Sequence, residues 1–302
     1  MQAAQLTSLR STRKRPVERI VRTLLFLCAV ASVFVTIGIV YSLFADTFRF
    51  FEGVSLSSFL FSTEWAPQSG SFGVLELIWG TGIISIGAML IAGPLGIATA
   101  IYLSEYAPDR LRRIVKPVLE LLAGVPTVVF GYFALNFITP NLLRTFYENC
   151  GIFNWTSAAI VVGLFILPTV ASLSEDAMRA VPRSLREAAY GLGASKLRVS
   201  IRVVAPAALS GIVAALILAI SRAVGETMAV TIAAGATPQI TVSPCASVQT
   251  MTAYIVQVAG GEASTGSTQY GSIFALGSTL FLITLALNYL SIRFVKRFRE
   301  AY

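Results

Sequence analysis

Six apolar segments, at approximately 22–44, 75–103, 117–138, 157–174, 206–234 and 271–292, punctuate this chain. Each is long enough to cross a hydrocarbon core of about 30 Å at about 1.5 Å per residue. In lipid only helices and closed barrels satisfy their own backbone hydrogen bonds, and runs of this length read as helices. The expected fold class is therefore all-α integral membrane, with six transmembrane helices. Composition agrees: 55% of residues are hydrophobic and 13% charged, where a soluble domain carries about 25% charged residues. The first segment is about twice the length of a signal-peptide apolar region, and no small-residue cleavage pattern follows it closely, so it reads as a retained span.

The basic residues orient the spans. They gather in four segments: Arg10, Arg13, Lys14, Arg15, Arg19 and Arg22; Arg110, Arg112, Arg113 and Lys116; Arg179, Arg183, Arg186, Lys196, Arg198 and Arg202; and Arg293, Lys296, Arg297 and Arg299. Of the 23 Lys and Arg, only Arg49, Arg144 and Arg222 lie elsewhere. The positive-inside rule then places both termini in the cytoplasm, with a basic tail at 1–21 and a membrane domain at 22–302. The net charge of +8 is a topology signal. Basic residues spread over four membrane-flanking segments do not suit a nucleic-acid partner.

There is no histidine, which removes the commonest general base and transition-metal ligand. The three cysteines show no zinc spacing, so neither metal nor bound cofactor is expected. Cys150 and Cys245 fall on the same, outer side; they are either two thiols or one disulfide.

Arg222 and Glu226 are the only charges between Pro206 and Ala234. Four residues apart, they would stack on one face of a continuous helix. A charge near the bilayer centre costs roughly 2.5 kcal/mol or more, and intramembrane charges usually mark a pathway. The pair reads as a polar path or, alternatively, as a structural ion pair holding helices together. Pro94, Pro126 and Pro168 are expected to kink three spans, and small residues from Gly82 to Gly96 let the second span approach its neighbours. Outside, Asp46 to Gly73 mixes aromatics with Ser and Thr and reads either as an interfacial piece on the outer leaflet or as an ordered loop. Thr250 to Val258 reads as a short re-entrant or lid helix.

The connection at 176–205 carries the most specific pattern: Glu187-Ala188-Ala189, Gly193, then Val203, Ala205 and Pro206. Pro182 to Leu192 is expected to be a short helix that Ser184 could cap, broken by Gly193, with a second short helix over Ser195 to Val204. Two charged helices at an angle would form a knob for docking. This segment resembles the EAA loop of permease subunits of ABC importers, with Val203 and Ala205 where Ile and Leu are usual. The resemblance implies that Glu187, Ala188, Ala189, Gly193 and Pro206 couple the membrane domain to a separate ATPase that binds the ATP.

A narrower resemblance covers most of the chain. Phe51-Glu52-Gly53-Val54-Ser55-Leu56-Ser57-Ser58-Phe59-Leu60 with Trp65-Ala66-Pro67, the run Leu122 to Gly131, and Arg222-Ala223-Val224-Gly225-Glu226-Thr227-Met228-Ala229-Val230 are similar to phosphate importer permeases of the PstC type. The PstA-type companion shares parts of the second and third runs. The resemblance implies half of a heterodimeric permease in a prokaryotic plasma (inner) membrane, with a PstA-like second permease, a PstB-like ATPase dimer and a PstS-like external phosphate-binding protein.

Phosphate crosses as an anion, so its path needs a cation. Arg222 offers a planar fork matched to phosphate oxygens, with Glu226 a competitor that keeps the site weak. No G-x-x-x-x-G-K-[ST] loop is present, so the chain is read as a transport subunit and not as an enzyme. The alternatives are a permease for sulfate or molybdate, a PstA-type subunit, a phosphate-sensing scaffold, or a transporter driven by an ion gradient.

Overall fold

In the computed structural model, which describes residues 16–298, the chain is built of helices, with one two-stranded ribbon among those residues. Arg10, Arg13, Lys14, Arg15 and Arg299, and with them most of the expected basic tail at 1–21, lie outside the described residues. The first helix, α1 (Pro16–Gly53), has 38 residues and starts before the expected boundary at 22. Its membrane portion is exposed on nearly every side, the pattern of a helix surrounded by lipid. It leans on the last helix through Thr47, whose Oγ1 bonds Ser278 Oγ at 2.7 Å.

The aromatic segment Asp46 to Gly73 is ordered and folds back on the chain. Asp46–Gly53 prolongs α1, because no Gly or Pro interrupts it before Gly53. A short helix α2 (Leu56–Phe61) follows, capped by Ser55, and then an antiparallel ribbon of β1 (Trp65–Ala66) and β2 (Ser71–Phe72). Phe50, Phe59, Trp65 and Phe72 turn inward and pack on Tyr254, far along the chain, with the Trp65 and Tyr254 rings perpendicular at 4.9 Å. Burying these rings against one another gains more than spreading them at an interface. Burial pushes the Tyr254 hydroxyl above its usual range, and it bonds Ser272.

The second span, α3 (Leu75–Ile101), continues through a wide turn to Tyr106. The expected span at 117–138 is two pieces. Helix α4 (Asp109–Leu122) buries none of its residues, and the rod formed by α5 (Thr127–Phe133), a wide-turned stretch Ala134–Leu143 and α6 (Arg144–Phe146) is bent 86° from it. Pro126 breaks the helix here instead of kinking it, since it lacks an N–H and disfavours helical backbone at Val125. The apolar face of α4 (Ile114, Val118, Leu121 and Leu122) runs into the true span, which is why the two read as one.

The fourth span is α7 (Trp155–Arg179), capped by the Asn154 side chain. Next come α8 (Arg183–Gly191), α9 (Lys196–Val199), a wide turn Ser200–Val204 and α10 (Ala205–Ala207). Pro182 stands at the start of α8, and no side chain caps it, Ser184 included. The expected span at 206–234 is also divided: α11 (Leu209–Val224) lies 72° from the preceding piece, and α12 (Met228–Ala233) begins only after a break at 225–227. Helix α13 (Met251–Gln257) and the long α14 (Thr268–Phe298) complete the chain.

Among the described residues four helices are long and apolar enough to span a membrane, and up to six spans result if each bent pair counts as one. This is a multi-pass membrane protein. Its core is the α3–α7 pair, where small residues bring the backbones together. A Cβ on Gly96 would sit 2.7 Å from the Val170 side chain, and one on Gly163 would sit 3.0 Å from the Ala88 carbonyl. Gly82, by contrast, faces open space.

Candidate functional site

The break at 225–227 removes the premise that Arg222 and Glu226 stack on one helix. Arg222 sits in the last turn of α11 with its side chain exposed. Its Nη1 donates to Thr169 Oγ1 of α7 at 3.1 Å, and its guanidinium carbon lies 4.1 Å from the centre of the Phe165 ring. Phe165 and Thr169 are four residues apart, so one face of α7 supplies both contacts. Glu226 lies beyond the C-cap residue Gly225 and turns away. It is 8% exposed, and its Oε1 accepts from Ala229 N at 3.2 Å, capping α12. Its carbonyl accepts from Thr252 Oγ1 of α13 at 2.8 Å. No ion pair joins Arg222 to Glu226. The Glu226 carboxylate, accepting from the Ala229 N–H in the first turn of α12, favours a new helix start here over a continued helix.

The structure thus separates the two charges by role. Glu226 shapes the broken span, while Arg222 presents a positive fork whose one face is covered by an aromatic ring. Such a fork can bind a tetrahedral oxyanion through two parallel N–H groups.

At the other end, α8 and α9 make the angled knob. Gly193 takes φ 79°, a left-handed value that glycine adopts without penalty, and its N–H donates to Tyr190 O at 2.9 Å. Glu187 and Ala188 are exposed on the knob, Leu192 at its tip is 90% exposed, and Ala189 packs inward against the Met178, Val199 and Val204 cluster. Pro206 is the second residue of α10, the single turn before α11.

A set of charges that the sequence reading passed over ties this knob to the spans. Arg186 of α8 pairs with Glu105 at 3.0 Å and also donates to the Met178 and Val181 carbonyls, at 2.8 and 2.6 Å. Glu175 of α7, wholly buried, receives Arg112 Nε at 2.7 Å and Lys116 Nζ at 2.9 Å, with Arg179 at 3.8 Å; Lys116 also bonds Asp176. Ending the fourth span at 174 had left Glu175 outside it. The signal available was the pair Arg112 and Lys116, four apart and on one face of an amphipathic helix. A buried carboxylate with such partners holds α4 to α7, and removing it would strip Arg112 of its ion-pair partner and leave Lys116 with Asp176 alone.

On the opposite side, Cys150 and Cys245 form a disulfide across 95 residues of sequence. It pins the 235–250 loop, which Trp155 and Trp79 also hold by donating to the Ser243 and Thr241 carbonyls. Among the described residues no group of three Cys, Asp or Glu could hold a metal ion.

The family described as binding-protein-dependent transport system inner membrane component matches residues 92–300. The chain is 35% identical over 280 residues to the probable ABC transporter permease protein YqgH of Bacillus subtilis, covering 90% of each. It is 36% identical over 265 residues to the phosphate transport system permease protein PstC of Mesorhizobium japonicum, covering 82% of this chain and 80% of that one. A chain of a bacterial alginate ABC transporter, solved in complex with an alginate pentasaccharide-bound periplasmic protein, shares the fold with a TM-score of 0.65. Their identity is 14%, over 95% of this chain and 99% of that one.

Proposed function

The chain belongs to the family of inner membrane components of binding-protein-dependent transport systems, and from that premise we propose that it is a PstC-type permease subunit of an ATP-driven phosphate importer. The observation that carries the phosphate reading is Arg222, an exposed planar cation at the break of a membrane span, in a chain whose relatives include phosphate permeases. It lowers the cost of dehydrating an anion midway across. A second, PstA-like permease supplies the other wall of the path, a periplasmic phosphate-binding protein delivers the ion, and a separate ATPase dimer binds the ATP. In this reading a basic tail at 1–21 precedes a permease domain at 22–302, with 176–205 as the coupling segment.

Coupling follows from the contacts. Leu192 and Glu187 are exposed for docking in a cleft of the ATPase. Movement of α8 pulls Glu105 through Arg186 and the end of α7 through the Met178 and Val181 carbonyls. Helix α7 carries Thr169 and runs without a break from Trp155 to Arg179, so displacement at the knob reaches the Arg222 fork along this helix.

Orientation rests on two independent features. The segments 110–116 and 179–202 are basic, and the disulfide on the other side belongs to an oxidising compartment. The knob is therefore cytoplasmic. In a Cys28→Ser background, an impermeant thiol reagent added outside should label Ser267→Cys and leave Ser184→Cys unlabelled. The reverse pattern would invert the topology.

The functional test is uptake by the reconstituted complex with its binding protein and ATP. Phosphate should be accumulated and should stimulate ATP hydrolysis, while sulfate should do neither. Uptake of sulfate or molybdate in preference to phosphate would replace phosphate with another oxyanion.

A further inference from the structure

Most hydroxyls along the spans of this protein are already committed. Thr81, Ser85, Thr99 and Thr279 each donate to the carbonyl four residues back, at 2.7 to 2.8 Å. That is the usual way for a helix to satisfy a hydroxyl where water is absent. Among the described residues Ser174 and Ser221 have no partner, and Thr169 has one only as an acceptor. Its Oγ1 accepts from Arg222 Nη1 at 3.1 Å, and its own proton has no acceptor among the described residues. It is half-buried, while Arg222 beside it is exposed.

The Arg222 guanidinium lies over the ring of Phe165, which is 4% exposed and backed by Phe130 at 5.9 Å between ring centres. A guanidinium carries five N–H donors, and Thr169 takes one. The remaining donors and the Thr169 hydroxyl proton then lie side by side at the rim of the same face of α7.

We propose that Thr169 is a direct ligand of the transported oxyanion: its oxygen accepts from Arg222 while its proton is donated to a phosphate oxygen. The inference rests on the reading of Arg222 as a path residue and adds a second, neutral donor to that site. A neutral hydroxyl beside a single cation suits transit. It adds one directional bond without a second charge that would retain the anion.

The test is uptake of inorganic phosphate by the reconstituted complex, with Thr169→Val, Thr169→Ser and Arg222→Gln compared at equal assembly with the partner subunits. Valine keeps the shape of threonine and lacks the hydroxyl; serine keeps the hydroxyl. Hydrogen bonds to charged groups correspond to about a 10- to 100-fold effect, so Thr169→Val should lower the uptake rate at least about 10-fold. Thr169→Ser should recover most of it. Uptake by Thr169→Val at the parent rate, or equal loss in the valine and serine variants, would overturn the assignment. If Arg222→Gln stops uptake while Thr169→Val does not, only the Thr169 ligand is wrong. If Arg222→Gln itself transports normally, the reading of the path is wrong.

Discussion

The double variant Arg222→Gln with Glu226→Gln is expected to assemble with its partner subunits and to fail to import phosphate. Sequence spacing alone makes the two residues a salt-bridged pair, in which removing either strands the other. The contacts say otherwise. Arg222 is anchored by Thr169 and Phe165, and Glu226 caps α12 through Ala229 N. A glutamine at 226 still carries a carbonyl oxygen for that N–H, so the broken span keeps its geometry. Glu226→Ala would lose the cap and about 1 kcal/mol with it. A glutamine at 222 has no cationic fork. With each charge-assisted bond worth roughly 1.5–3 kcal/mol, losing a bidentate contact should slow uptake on the order of 100-fold or more. Co-purification checks assembly, and labelled phosphate accumulation checks transport. Normal uptake by the double variant would make the pair structural.

Gly193→Pro should abolish both uptake and phosphate-stimulated ATP hydrolysis, with the phosphate affinity of the binding protein unchanged. The reason is backbone geometry. A Cβ at 193 would meet nothing within 4 Å, so crowding plays no part. The φ of 79° is the constraint, and proline holds φ near −65° and lacks the N–H that bonds Tyr190. Gly193→Asn should keep most of the coupling, because asparagine tolerates the left-handed region, while Gly193→Val pays about 1–2 kcal/mol of strain. A knob that works equally well with valine, asparagine or proline at 193 would have no coupling role.

Much of the architecture was legible because lipid enforces it. The apolar runs had to be helices, and the basic segments had to mark their ends. The Glu187–Gly193 segment was legible too, since a helix, a left-handed glycine and a second helix follow from local chemistry. Two helix breaks were not. At 123–126 the sequence stays apolar and hydropathy does not register the bend at Pro126, and at 225–227 a lone acid between apolar runs does not announce that its side chain will bond Ala229 N and end the helix. The choice between an interfacial piece and an ordered loop stayed open for a related reason: Trp65 meets Tyr254, in the cluster that Phe50 and Phe59 join, and no local pattern reveals that contact. Glu175 and Thr169 were missed because their roles depend on what α4 and α11 bring beside them.

The most direct measurement restores a charge chemically at position 222. Arg222→Cys in a Cys28→Ser background leaves the Cys150–Cys245 disulfide intact and removes the one other free thiol among the described residues. In the reconstituted complex this variant should be nearly inactive. Treatment with an aminoethyl methanethiosulfonate, which attaches a cation, should raise phosphate uptake, whereas methyl methanethiosulfonate should not. The Cys28→Ser complex carrying Arg222, treated in parallel, accounts for thiols on the other subunits. Equal response to both reagents, or full uptake before either is added, would contradict a phosphate path that runs past Arg222.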